Sequence, residues 1–560
     1  MHRGLLLRNR RAAWIGIGLA MLVGACSDDR EAVQHAFAPA ITAEDLAART
    51  GILASDEFGG RPPSGPFADR TVAYLIGTFE RMGLSPGFGD DYLQRVPLIS
   101  IEARPDAVLQ VSGKSLARNY AYGSEMMVWT TRVVERAAIE SSDMVFVGYG
   151  IVAPEYGWND YAGLDMQGKT ALILINDPGF ATQDSELFTG NAMTYYGRWT
   201  YKFEEAARQG ADGALVIHET APASYPWSVV ETSWTGPQFD MVRPGGNASR
   251  VAIEGWVQRS VAEQLFADSG LDFEALKAAA TQPDFTPVPL DSTASVAVDN
   301  TLARSETLNV GAVLRGAERP EEAVLFSAHW DHLGQGPEMD GDSIYNGAAD
   351  NAAGVAMILE VAEKMAGADA VPRRSVMFLL FGAEEQGLLG AYHFAANPAF
   401  ALAKTVAMIN TDVVLPLGEM ADITVVGRGS SQLEEILQDA VSQQGRRITP
   451  YPNPEQGFYF RSDHFALAKQ GVPALYLDTG TEHISRGTDF VTEAKADYIA
   501  NRYHTPNDEV METWDWSGVA LDTEAMYSVG WKLAQGTQWP RWYASSPFRA
   551  VREKTSGERR

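Results

Sequence analysis

The chain has one cysteine, Cys26, in 560 residues. No intrachain disulfide can form, even for an oxidising destination. Basic residues are scarce beside acidic ones: 45 Lys and Arg stand against 72 Asp and Glu, for a formal net charge of -27. A protein that tracks phosphates needs a basic face, so this balance argues against nucleic acid as a partner. It fits solubility, together with carboxylates that a bound cation would offset. No internal repeat and no low-complexity segment is present. What the chain does have is apolar content, 45%, which supports sizeable cores and excludes wholesale disorder. Its length allows roughly three or four domains.

The N-terminus combines Arg3, Arg8, Arg10 and Arg11 with the apolar stretch AAWIGIGLAMLVGA, which is too short and too close to the start for a comfortable spanning helix. The run Val23-Gly24-Ala25-Cys26 resembles a bacterial lipoprotein cleavage site. Residues 1–25 are therefore expected to be a lipoprotein signal peptide, with a lipid on the Cys26 thiol and a tether over 26–40. Ser27 resembles the pattern that sends lipoproteins to the outer membrane. The expectation is an exported, lipid-anchored protein facing the periplasm, with no other membrane contact.

Beyond the tether, AEDLAARTGILAS and FADRTVAYLIGTFERMGL read as helices from their apolar spacing. From about Val134 the character changes to short strands, SDMVFVGYGI, GKTALILINDPG and ADGALVIHE, separated by aromatic, glycine-bearing loops. The region 134–291 reads as a β-rich module inserted into a domain made of 41–133 and 292–540, with a separate tandem domain as the alternative and 541–560 as a C-terminal tail. After Thr301 strands and helices alternate. Apolar strands in such alternation predict an α/β fold, a mostly parallel twisted sheet flanked by helices.

Three of these strands carry ionisable residues at or just past their carboxyl ends, where open α/β sheets bind ligands. SAHWDHLG supplies His329 and Asp331, FLLFGAEEQG supplies Glu384 and Glu385, and INTDVV supplies Asp412. Asp350 lies in GAADNAAG before a helix, and His504 in NRYHTPNDEV. His329, Asp350, Glu385, Asp412 and His504 form a nitrogen and oxygen donor set suited to zinc. If one carboxylate bridges, the five divide into two sites with room for water or substrate. Asp331 falls on the same side of an extended strand as His329; it is the natural acceptor for that imidazole's N–H, or else caps a turn.

The H-x-D, G-x-x-D-N-x-x-G, E-E, N-T-D and Y-H-T-P elements occur in the order seen in the M28 family of zinc peptidases, and over about residues 41–540 the chain resembles that family, the insertion resembling a protease-associated domain. The resemblance implies two zinc ions bridged by Asp350, with His329 and Asp412 completing one site and Glu385 and His504 the other. It implies Glu384 as the general base, Tyr503 as a group that stabilises the developing oxyanion, and a cis Asp350–Asn351 peptide. Simple packing beside the site is the other reading of Tyr503. No ligand vacancy remains for Asp463 or His464, which fit a structural or substrate-pocket role. His332, His393 and His483 read as bystanders, His332 least securely.

The implied activity is that of a metal-dependent exopeptidase, a dizinc aminopeptidase acting on peptides through a water activated between the metals. A carboxypeptidase of the same family would need a basic residue for the substrate carboxylate, and Arg461 is a candidate. A glutaminyl cyclase with one zinc shares the fold. A non-catalytic, receptor-like homologue would lack ligands, and none is missing. Side-chain preference and oligomeric state are not legible.

Overall fold

Strand Arg374–Phe381 shows how the sequence builds the centre of the molecule. Successive residues point to opposite faces: Val376, Phe378 and Leu380 enter one core, and Met377, Leu379 and Phe381 another. All of its positions are buried, which is why it reads as a continuous apolar run. The computed structural model describes residues 35–113 and 117–559; the expected leader, the expected cleavage site and Cys26 lie outside them.

Strands Arg374–Phe381, Arg319–His329, Thr405–Thr411 and Ala474–Asp478 lie side by side in parallel. Helices Ala43–Leu53, Pro66–Arg81, Ala353–Ala366 and Ser517–Gln535 cover one face, and the short helices Leu389–Ala396 and His464–Ala468 cover the other. The predicted α/β architecture, a large sheet between helices, is present. Outside those four strands the sheet becomes mixed. Val288–Leu314 runs antiparallel to Arg374–Phe381, and Asp422–Val426 runs antiparallel to Ala474–Asp478. Val288–Leu314 enters without a crossover helix, the connection that parallel pairing requires.

A second sheet contains Val108–Gly113, Ala117–Ala121, Met126–Trp129, Arg136–Phe146, Lys169–Leu174, Gly213–His218 and Ile253–Gln258. It has its own core, including Leu109, Phe146, Leu172, Leu215 and Val298. The 27-residue strand Val288–Leu314 belongs to both sheets. Its first part pairs with Arg136–Phe146, and Asn300–Val310 pair with Leu93–Ala103. The β-rich module therefore draws on residues 108–299, more than the 134–291 read from the sequence. The strand passes through residue 291 without a linker. Asp291, with φ 51°, sits in an irregularity of the register, which bends the strand without ending it.

The module is fastened to the main sheet's loops. Lys469 Nζ pairs with Glu204 at 2.8 Å, the Met193 amide donates to the Pro454 carbonyl at 3.1 Å, and Tyr195 meets Phe465 edge-on with ring centroids 5.2 Å apart. The predicted tail is also packed. Trp542 and Phe548 enter the second face's core, and Arg552 donates to the carbonyls of Leu402 and Thr405. Isolated anchors of this kind leave no periodic pattern to read. Gly487–Asn501, read as loop, is a helix that buries only Val491 and Tyr498, too few for a visible stripe. No helix among the described residues is long and apolar enough to cross a membrane.

Phe378 sits mid-column, stacked on Phe326 at 5.8 Å and on Phe79 at 6.5 Å. Phe378→Ala should cost about 3–5 kcal/mol, read as a lower chemical-denaturation midpoint. An unchanged midpoint would contradict this packing.

Candidate metal centre

Side chains from five separate segments meet at the carboxyl edge of the parallel strands, the edge where such sheets place their ligands. His329 ends its strand, Asp412 follows Thr411, the Glu384–Glu385 pair follows Phe381, and Asp350 precedes helix Ala353–Ala366. His504 lies in the turn after helix Gly487–Asn501. Ala383, Val413 and His504 all have left-handed backbone, with φ 57°, 52° and 59°. For residues other than glycine this costs on the order of 1 kcal/mol each, and it persists where the surroundings fix it.

The donor atoms converge on two points. His329 Nε2 lies 2.9 Å from Asp412 Oδ1 and 3.2 Å from Asp350 Oδ1. His504 Nε2 lies 3.1 Å from Glu385 Oε2 and 3.3 Å from Asp350 Oδ2. One oxygen of Asp350 thus faces each set. Ligands of a tetrahedral zinc, each about 2.0–2.1 Å from the ion, stand about 3.3 Å apart, close to these separations. His504 Nε2 makes no hydrogen bond despite both neighbouring carboxylates, because the atoms aim at a common point and not at one another. The His329 Nδ1–H donates to the Asp331 backbone carbonyl at 3.1 Å. Nε2 is left facing two carboxylate oxygens, where a cation between them would take its lone pair. The residues present fit zinc.

The Asp350 loop is clamped from two sides. Arg61 donates to the carbonyls of Trp330, Leu53, Asn346 and Gly347, at 2.6 to 2.9 Å. Asp508 accepts the amides of Ala349 and Asp350, at 3.0 and 3.1 Å, and the Tyr498 hydroxyl at 3.2 Å. The glycines of the motif answer to close approach. A Cβ on Gly347, at φ 55°, would lie 2.2 Å from the Asp350 carbonyl oxygen, and one on Gly354 would lie 2.0 Å from Asn351 Oδ1. The Asp350–Asn351 peptide is cis, as the resemblance implies.

Asp331 acts through different atoms from those predicted. Its carbonyl, and not its carboxylate, holds His329, while its Oδ1 accepts the Glu384 amide at 3.1 Å. His332 is not the bystander it was read to be: its Nδ1 lies 2.6 Å from Glu385 Oε1. That is a hydrogen-bond distance, shorter than the edge between two zinc ligands, and it leaves Oε2 facing His504. Arg61, Asp508 and His332 are the residues that sequence reasoning missed. Arg61 binds backbone carbonyls, which leave no trace in a sequence; Asp508 lies four residues past His504, inside the motif already singled out. His393 and His483 lie in other elements, outside the groups of converging donors.

The site has more acid than base. Burial, reinforced by Asp412, Glu385 and Asp463, raises the Glu384 carboxyl well above the usual range, and burial lifts Asp331 to about 7. Although burial pushes the other way, His504 and His332 draw Glu385 down to about 2, and the imidazoles of His329 and His504 hold Asp350 well below its usual range. Asp463 is buried with neither carboxylate oxygen hydrogen-bonded, and His464, also unpartnered, has its ring centroid 4.5 Å from that of Tyr459 and 5.0 Å from that of Tyr476. Tyr503 stacks on His504 at 3.8 Å. Burial and then the nearby carboxylates raise its phenol well above the usual value, keeping it a neutral donor. The donors open into a cavity of about 800 Å³ including its mouth, with Tyr503 in its wall and Val413, Leu415, Val426 and Phe458 among its apolar lining.

A mixed α/β protein with a twinned histidine–carboxylate centre is the class these observations define. Residues 309–528 match the family profile described as Peptidase family M28. The chain is 25% identical over 437 residues to "Probable leucine aminopeptidase 2" of Aspergillus fumigatus, covering 76% of this chain and 68% of that protein. It is 30% identical over 195 residues to an "Aminopeptidase" of Pseudomonas aeruginosa, 33% of each. It is 40% identical over 106 residues to a "Probable zinc metalloprotease" of Pyrenophora teres f. teres, 19% of this chain and 22% of that one. The chain thus spans about a fifth to a third of the length of most of the curated relatives it matches. Among solved structures, "Aminopeptidase from Aneurinibacillus sp. strain AM-1" aligns with a TM-score of 0.48 at 19% identity, over 89% of this chain and 95% of that one.

If the clamp positions Asp350, Asp508→Asn should weaken metal binding about 10–100-fold, because its amide group would face a backbone N–H. Metal retained after dialysis against a chelator series reports this. Retention equal to that of the parent protein would mean the clamp does not shape the site.

Proposed function

We propose that the protein is a metal-dependent exopeptidase, an aminopeptidase that removes N-terminal residues from peptides and holds two zinc ions around Asp350. One observation carries the reading: the two oxygens of a single buried carboxylate face two separate histidine–carboxylate sets. The match of residues 309–528 to M28 peptidases and the named activities of the relatives agree with it in class. His329 and Asp412 would complete one ion's site, and Glu385 and His504 the other.

Zinc held there supplies Lewis acidity, polarising a peptide carbonyl and making water more acidic. The rest falls to the chain. Glu384, 3.9 Å from His329 Nε2 and not among the four carboxylate and imidazole groups that face Asp350's oxygens, takes the proton of the attacking water and passes it to the departing amine. The Asp331 carboxylate holds the Glu384 backbone so that the pair diverges, one carboxylate towards the cavity and the next towards the ligands. Tyr503 donates to the carbonyl oxygen as charge develops on it. The apolar side of the cavity suits a large apolar N-terminal side chain. The β-rich module is proposed as a protease-associated-like unit that walls the approach to the site. Lipid anchoring through Cys26 and placement at the outer membrane, facing the periplasm, are proposed on the leader's pattern alone.

Glu384→Gln should retain two zinc ions per chain and lose about 10²–10⁴-fold in kcat, measured on leucine p-nitroanilide. Full activity in that variant would rule out Glu384 as the base. Removal of metal by chelator should abolish cleavage, and N-acetylation of a peptide should block it. Cleavage that survives N-acetylation and is lost on C-terminal amidation would replace the aminopeptidase with a carboxypeptidase.

A further inference from the structure

Helix Gly487–Asn501 reaches the metal centre with little of itself buried. Of its 15 residues only Val491 and Tyr498 are, whereas helix Ala353–Ala366, which follows Asp350, buries 11 of its 14. Tyr503 and His504 come directly after the helix. His504 is the outlier among the five expected ligands: its side chain is 36% exposed, against 1% to 9% for His329, Asp350, Glu385 and Asp412. Left-handed backbone marks both ends of the segment, at Gly487 with φ 76° and at His504 with φ 59°.

With so little apolar area removed from water, packing contributes little and polar contacts must hold the helix down. At its end, Tyr498 donates to Asp508, and its ring joins Ala349 and Leu415 in a small cluster apart from the large cores. One turn earlier, Lys495 Nζ donates to Asp478 Oδ2 at 3.0 Å and to the Thr479 carbonyl at 2.8 Å. Asp478 ends strand Ala474–Asp478. Among the described residues, no other side chain of this helix hydrogen-bonds to a strand of the central sheet. Two of the three Nζ protons are used there, which makes Lys495 a fastener before it is a substrate contact. Both partners are partly exposed, 22% for Lys495 and 14% for Asp478, so the charge-assisted bond holds the helix without locking it.

What the helix does is passed on to the site. The Tyr503 amide donates to the Tyr498 carbonyl at 2.9 Å, and the Tyr503 ring stacks on His504, so these groups move together. Lys495, Tyr498, Ile499 and Tyr503 also form one wall of the cavity that holds Asp350 and Glu384, with Asp478 beside them. We propose that Lys495 is a positioning residue: its bond to Asp478 and Thr479 closes helix Gly487–Asn501 on the sheet edge and sets Tyr503 and His504 at the reacting centre, and breaking that bond lets the helix open as a lid. The effect on turnover rests on the peptidase reading above; the motion does not.

Hydrogen–deuterium exchange of the zinc-loaded full-length protein reads the lid directly. Lys495→Met keeps the aliphatic stem and removes the donor. It should speed exchange of the amides at 487–504 about 10-fold and leave strand Arg374–Phe381 as slow as in the parent protein. On leucine p-nitroanilide it should lose about 10-fold in kcat with KM within about 2-fold, the mark of misplaced reacting groups. Lys495→Arg, which can reach the same acceptors, should restore both to within about 3-fold of the parent. Asp478→Ala should act in the same direction, and the double variant should be no worse than Lys495→Met alone, as for two ends of one bond. Unchanged exchange at 487–504 in Lys495→Met would overturn the proposal; joined to a rise in KM alone, it would make Lys495 a substrate contact instead. Faster exchange with kcat unchanged would also overturn it, since the helix would then move without carrying the reacting groups. If exchange responds but even the parent protein cleaves no leucine p-nitroanilide, the peptidase reading fails and the lid stands. If the substrate is cleaved and neither exchange nor kcat responds, the lid fails and the peptidase stands.

Discussion

Everything at the sheet edge depends on the carboxylate of Asp350 being presented with one oxygen towards each histidine. A carboxylate on a free loop would rotate to satisfy one imidazole or the other. Here the backbone on either side is fixed: Arg61 gathers the carbonyls around residues 346 and 347, and Asp508 takes the amides of Ala349 and Asp350. Neither clamp touches the donor oxygens, so both stay open to the site. Gly347 and Gly354 let the loop close down this tightly.

The electrostatics follow from that geometry. Asp350, Glu384, Glu385, Asp412, Asp331 and Asp463 crowd a space with three imidazoles, His329, His332 and His504, and no lysine or arginine of the described residues pairs with any of them through its side chain. Unoffset, so many buried acids repel one another and hold protons. Dications at the two points of convergence would relieve this and free Glu384 to accept a proton.

Much of this was legible in the sequence, for identifiable reasons. The central strands are long apolar runs with ionisable residues just past their ends, so both the sheet and the places of His329, Glu384, Glu385 and Asp412 could be read from pattern. The limits have physical causes too. Strand Val288–Leu314 serves two sheets without a break, so composition cannot mark where the β-rich module stops. Helix Gly487–Asn501 buries two side chains and shows no stripe. Arg61 acts on carbonyls, and Asp331 acts partly through its own carbonyl, contacts that depend on backbone path and not on residue type.

The most direct measurement is zinc titration of the metal-free protein and of variants at each ligand. The account predicts two equivalents for the parent protein, one each for Asp412→Ala and His504→Ala, and none held tightly by Asp350→Ala, since that carboxylate serves both points. Two equivalents in Asp350→Ala, or a parent protein saturating at one, would contradict the shared carboxylate on which the rest is built.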